Sequence, residues 1–346
     1  MKKQWKRGFV LLLVLLLAFS MVGCSGDGDD EALPEVINIG VLRVPNDQTL
    51  AIAEGLLDDH FGEMGIECKY IIFDSGVEAN QALASGSIDF ASMGNTNAIV
   101  SLARDLDVEM IWIHEILGDI EALAVKNDSG IEKVEDLAGE RIATPFASTA
   151  HYILLNTLKL AGIENDVELL DMQTAEIVAA WERGDIKAAY TWQPSLGVLL
   201  QTGFPLVTSQ DMAEKGFITA NVVVGRKGFT EKYPELTAGM LMNLAKAGDI
   251  YRADAQEGAR IVAEELEITP EDALMQMQGS IWKTPQELLG EDYFGTTGNP
   301  GHFAVIMKDT ADFLEEQESI DQAPDQEAFN TYVNPKYIEM AVEMMD

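Results

Sequence analysis

Apolar residues run along this chain in short blocks, each closed by a glycine or a few small polar residues. Val36-Ile-Asn-Ile-Gly-Val-Leu42 has the length and β-branched content of a buried strand and leads into a polar loop, Arg43 to Gln48. Thr49 to His60 then places apolar residues at helical spacing. The alternation continues: strand Lys69 to Phe73, polar Asp74-Ser75-Gly76, helix Val77 to Ser85, strand Ile88 to Ser92, polar Gly94 to Asn97, helix Ala98 to Leu106. Strands that alternate with helices predict an α/β fold of mostly parallel sheets flanked by helices.

The pattern recurs further on. Ser75 to Gly94 reads helix, Gly86-Ser-Ile-Asp89, strand and polar turn, while Gln173 to Trp192 reads helix, Gly184-Asp-Ile-Lys187, strand and Trp192. In both copies the glycine stands where a helix needs a left-handed residue to stop, and the isoleucine after it opens the next strand. Such a repeat predicts two similar lobes with a cleft between them.

Open α/β sheets bind ligands beyond the carboxyl ends of their strands. Those positions here hold Pro45, Asn46 and Asp47, then Ser75 and Gly76, then Asn95, Thr96 and Asn97. Phe146, Ser148, Thr149 and His151 follow the predicted strand Arg141 to Thr144, and Trp192 and Gln193 follow Ile186 to Thr191. Any one of the polar residues is accounted for by helix N-capping. Several such helix starts converging on one cleft would offer N–H groups, hydroxyls and positive dipole ends to a small anion, without a lysine.

The amino terminus narrows the setting. Lys2, Lys3, Lys6 and Arg7 precede an apolar run from Phe9 to Phe19 that ends in Met21-Val-Gly-Cys24. This reads as a secretory signal, too short for a stable spanning helix, closing on a lipoprotein cleavage site. Residues 1–23 would be the signal peptide, Cys24 the lipidated first residue and 24–35 a flexible tether, placing the folded part outside the cytoplasm on a membrane anchor. The chain carries 58 acidic against 23 basic residues, which excludes nucleic acid and adsorption to anionic lipid, since both need basic patches. With Cys24 lipidated, Cys68 is alone and reads as a structural thiol; no Cys/His spacing suggests a metal or other cofactor.

The stretches FDSGVEANQALASGSIDFASMGN (Phe73 to Asn95), IEALAVK (Ile120 to Lys126), GERIATPFASTAHYILL (Gly139 to Leu155), AAWERGDIKAAYTWQP (Ala179 to Pro194) and VGRKGFTEKYPE (Val224 to Glu235) resemble the nitrate, sulfonate and taurine family of substrate-binding components of ABC importers. The resemblance covers most of residues 36–240 and is weaker beyond. It implies a two-lobed, type II periplasmic-binding-protein fold, with residues 36–123 and 225–346 in one lobe and 124–224 in the other. It also implies a monomer that closes on taurine or a related organosulfonate and serves a membrane permease and its ATPase. Carried over residue by residue, Asn46, Ser75, Gly76, Asn95 and Thr96 would face the ligand from one lobe. Phe146, Ser148, Thr149 and His151 would do so from the other, with Trp192 as an aromatic wall. Glu121 lies in the apolar run Ile120 to Val125, where a glutamate without a partner would be costly, so it is expected to meet the ligand's ammonium. Asn221 departs from the resemblance, which implies an aspartate there; one carboxylate fewer leaves room for a less cationic ligand. Two other readings stay open: an enzyme on the same fold, such as a lyase or a thiamine-pyrimidine synthase, and a binding protein for nitrate, bicarbonate or another small anion. A sensor addressing a receptor kinase would bind the same ligands. No nucleophile–base pair is evident for the enzyme, and Phe146 and Trp192 favour a ligand with an apolar body.

Overall fold

The apolar blocks become strands of two sheets. A computed structural model of the chain describes residues 32–73 and 75–345; the expectations for the signal segment and Cys24 lie outside them. The first sheet takes β1 (Val36–Leu42), β2 (Glu67–Phe73), β3 (Phe90–Gly94) and β4 (Val108–Leu117). The second takes β5 (Glu121–Lys126), β6 (Arg141–Thr144), β7 (Glu168–Asp171), β8 (Ala188–Trp192) and β9 (Gly203–Thr208), after which β10 (Ala220–Arg226) returns to the first. A two-residue strand, β11 (Ser280–Ile281), edges β4.

The two sheets share one plan. In the order β2-β1-β3-β10-β4, β1 runs parallel to β2 and β3, and β10 runs antiparallel to both of its neighbours. In the order β7-β6-β8-β5-β9, β6 runs parallel to β7 and β8, and β5 runs antiparallel to both of its neighbours. Strand direction is therefore mostly parallel, as expected, and each of these five-strand sets has one reversed strand. The reversed strand is the one on which the chain arrives from the other sheet. Because β5 is paired in the second sheet from Glu121 onward and β10 in the first from Ala220 onward, the chain changes sheets within residues 118–120 and 209–219. The expected boundaries near 123 and 224 fell too late, because the apolar runs that seemed to end one lobe are the opening strands of the next.

Local chemistry explains the helices between these strands. The expected helix from Thr49 to His60 is two, α1 (Asp47–Ala53) and α2 (Leu56–Gly62), parted at Gly55, whose φ of 68° suits a residue without Cβ. Helix α3 (Gly76–Ser85) stops at Gly86 with φ 71°, α4 (Asn95–Ala103) follows β3, α5 (Thr149–Ala161) follows β6, and α6 (Thr174–Arg183) stops at Gly184 with φ 80°. The two glycine stops thus do the same work in both sheets. The strands after them start at Phe90 and Ala188, later than Ile88 and Ile186; these isoleucines are buried but precede the ladder.

The second sheet shows why its strands read as continuous apolar runs. Leu123 and Val125 enter the core on one face with Ile142, Ile153 and Tyr190, while Ala122 and Ala124 enter the core on the other with Trp181 and Leu199. Side chains alternate across a strand, so two covered faces demand apolar residues at every position. The first sheet is covered by a single larger core that includes Ile37, Phe90, Trp112, Val222, Leu241 and Phe303. No helix among the described residues is long and apolar enough to cross a membrane.

Candidate ligand-binding cleft

Strand ends from both sheets wall a cavity of about 930 Å3. From the first sheet, Ser75 caps α3 by accepting a hydrogen bond from the Glu78 N–H at 3.4 Å. Gly76 follows it because a Cβ there would stand 2.4 Å from Asn97 Oδ1. Asn97 in turn donates from Nδ2 to the Ala147 carbonyl at 2.9 Å, joining the two walls. From the second sheet, Ser148 caps α5, accepting from the His151 N–H at 3.1 Å and donating to the Pro145 carbonyl at 2.5 Å. The loop between them holds Ala147 at φ 56°, a left-handed conformation costing on the order of 1 kcal/mol for a residue with Cβ.

A buried carboxylate stands on each wall or just behind it. Glu121, 1% exposed, accepts from Thr149 Oγ1 at 2.5 Å and from Ser209 Oγ at 2.7 Å, one hydroxyl on each oxygen. Burial pushes its carboxyl up to about 7, against the pull of those hydroxyls. Thr149 and Ser209, two hydroxyls from elsewhere in the chain, thus hold Glu121 on the cleft wall. Across the cleft, Asn221 donates from Nδ2 to Glu115 Oε1 at 2.6 Å. Glu115 is equally buried, its Oε2 makes no close hydrogen bond among the described residues, and burial pushes it up to about 7 despite His114, Asn221 and Asn46. Beside it, His114 is hydrogen-bonded to Asp47 through Nδ1, and Trp112 Nε1 donates to Asp47 Oδ2 at 2.8 Å.

Eight expected residues share the cavity wall: Ser75, Gly76, Glu121, Phe146, Ser148, Thr149, Trp192 and Asn221. Four do not. Asn46 caps α1, its Oδ1 accepting from the N–H groups of Gln48 and Thr49 at 3.1 and 3.2 Å. Asn95 accepts from the Ala220 N–H at 3.2 Å, and Thr96 is buried with its hydroxyl unpartnered among the described residues. His151 stacks behind Phe146, ring centroids 4.3 Å apart, and burial pushes it down to about 4, so it is neutral at physiological pH. The thiol of Cys68, partly buried, is pushed up to about 11 by burial and by Asp58, in line with a structural role.

Other wall residues escaped the sequence reading. Arg43 is the one basic side chain on the wall among the described residues; it is exposed and donates to the Leu266 carbonyl at 3.2 Å. It follows directly on β1, a strand-end position, although the anion site expected from the sequence was one of neutral donors. Gln193, at the end of β8, was among the strand-end positions named from the sequence, whereas Gln276 comes from a distant helix and carries no local signal.

Two α/β sheets built on one plan, with a cleft walled by the strand ends of both, have the architecture of the periplasmic-binding-protein fold. The substrate-binding domain of ABC-type glycine betaine transport systems matches residues 41–271, and the chain belongs to this family of substrate-binding domains. It is 33% identical over 313 residues to the taurine-binding periplasmic protein of Escherichia coli K12, spanning 88% of this chain and 94% of that one. In fold it is similar to the periplasmic aliphatic sulphonate binding protein SsuA of Escherichia coli, with TM-score 0.71 and 21% identity over 86% of this chain and 92% of the other. The desulfurization enzyme DSZB is also similar in fold, with TM-score 0.65 and 18% identity over 90% of this chain and 100% of that one. The fold alone therefore does not separate binding from catalysis.

Proposed function

We propose that the chain captures taurine or a closely related organosulfonate in this cleft and delivers it to the permease of an ABC importer. The observation that carries the reading is a cavity with two kinds of polarity. Helix-start hydroxyls and N–H groups at Ser75–Gly76 and Ser148–Thr149, with Arg43 at the wall, suit a sulfonate. Glu121, with Trp192 opposite it on β8, suits an ammonium on an apolar body. A bound ammonium would favour the ionised form of Glu121, offsetting the burial that raises its pKa. The relative's name agrees with this pairing. In the same reading the protein is a monomer, carries no cofactor, is not an enzyme, and is held outside the cytoplasm by lipid on Cys24.

Calorimetric titration of residues 25–346 with taurine, ethanesulfonate, a longer alkanesulfonate, nitrate and glycine betaine tests the proposal. Taurine should bind most tightly and nitrate not at all. Binding of nitrate or glycine betaine in preference to every sulfonate would overturn it, and turnover of a bound sulfonate would return the enzyme reading.

A further inference from the structure

We propose that Glu115, one hydrogen bond behind the cleft wall, is a positioning residue that makes the cleft prefer sulfonates carrying an ammonium group. The inference rests on the organosulfonate reading above. Glu115 and Asn221 are cross-strand partners on β4 and β10, and only Asn221 belongs to the cavity wall. An asparagine amide can offer a donor or an acceptor to a ligand, depending on which way it is turned. Here the Glu115 carboxylate takes the amide nitrogen at 2.6 Å. Turning the amide over would set its oxygen against a carboxylate oxygen, so Oδ1 is the group left for a ligand, and an acceptor selects a donor such as ammonium.

The charge works in the same direction. Glu115 stands beside His114, whose ring is raised by Asp47 against the lowering effect of burial, and the His114–Asp47 pair is neutral overall when the ring is protonated. Asn46 and Trp112 complete the polar surroundings without adding charge. As pH rises through about 7, Glu115 adds a negative charge, buried where little water screens it. Its Oε2 makes no close hydrogen bond among the described residues, and the Asn46 side chain, whose Nδ2 likewise makes none, is the neighbouring donor.

The test is the ratio of taurine to ethanesulfonate affinity in the protein, in Glu115→Gln, and in Glu115→Gln with Asn221→Asp. The single variant should lower the ratio roughly tenfold or more, as expected for a lost charge-assisted contact. The double variant, which moves one carboxylate to the wall, should restore most of it. An unchanged ratio in Glu115→Gln, or equal loss of both ligands, would show Glu115 to be structural and overturn the inference alone. Should the Glu115 variants not fold, the ratio is measured at pH 6 and pH 8 in Glu121→Gln, which removes the other carboxyl titrating there. Because an alkylammonium keeps its proton across this range, the ratio should rise with pH as Glu115 ionises, and a flat ratio overturns the inference. Wild-type protein that binds neither sulfonate would sink the organosulfonate reading and this inference with it.

Discussion

Glu121 and Glu115 stand on consecutive strands either side of the chain's first passage between sheets, both buried and both held near pH 7 by burial. Their surroundings differ. Glu121 has a hydroxyl on each oxygen, whereas Glu115 has an amide on one oxygen and no close hydrogen bond on the other among the described residues. Hydroxyls can rotate to donate or accept, so Thr149 and Ser209 serve Glu121 whether it is ionised or protonated. The Asn221 amide nitrogen only donates, and so favours an ionised Glu115. Two carboxyls with similar titration ranges are thus prepared for different tasks: one meets a ligand directly, and the other acts through a neighbour.

Glu121→Gln strikes the comparison hardest. It should weaken taurine by about 1.5–3 kcal/mol, roughly tenfold to a hundredfold, and ethanesulfonate far less. Equal losses, read by calorimetry, would remove Glu121 from the ammonium role and leave Glu115 as the only acid acting on the ligand.

A medium effect is expected from pH. Both carboxyls have folded pKa values raised above the unfolded range, so their contribution to stability is fully present at low pH and is lost as pH rises from about 4.5 towards about 7. An ammonium ligand should drive both towards ionisation, so taurine binding near pH 6.5 should release protons. Titrations in two buffers of different ionisation enthalpy detect this; a heat independent of buffer would mean that neither carboxyl changes state. The Glu121→Gln variant should retain only the share that belongs to Glu115.

The smallest expected change is Arg43→Gln. Arg43 is exposed at the cavity wall, so its charge should act mainly on encounter with an anionic group, by about twofold at low salt and less at high salt. Stopped-flow association rates at two ionic strengths check this. A loss as large as that of Glu121→Gln would relocate the sulfonate contact to Arg43 and change the polarity assigned to the two walls.

Glu121 was legible as a site because a charge interrupts an apolar run, Ile120 to Val125. The same signal was present at Glu115 in Val108–Leu117, a strand buried at every position, and was passed over. What neither run could show was the partner set. Thr149, Ser209 and Asn221 reach these acids from other strands and helix starts, and Asp47 reaches His114 across 67 positions of sequence. Ser75 and Ser148 turned out to be both helix caps and wall residues, so the capping reading and the cleft reading were never alternatives.

Local rules were enough for the α/β class, the repeated helix–glycine–strand unit and the strand ends that face the cleft. Alternation, helix stops and caps depend on residues close together in the chain. The order of the sheets, the reversed strand in each, the points of passage at 118–120 and 209–219, and which acids have partners were decided by packing. Those features depend on contacts between segments distant in sequence, and a buried carboxylate takes its protonation and its role from whichever donors that packing brings within hydrogen-bond reach.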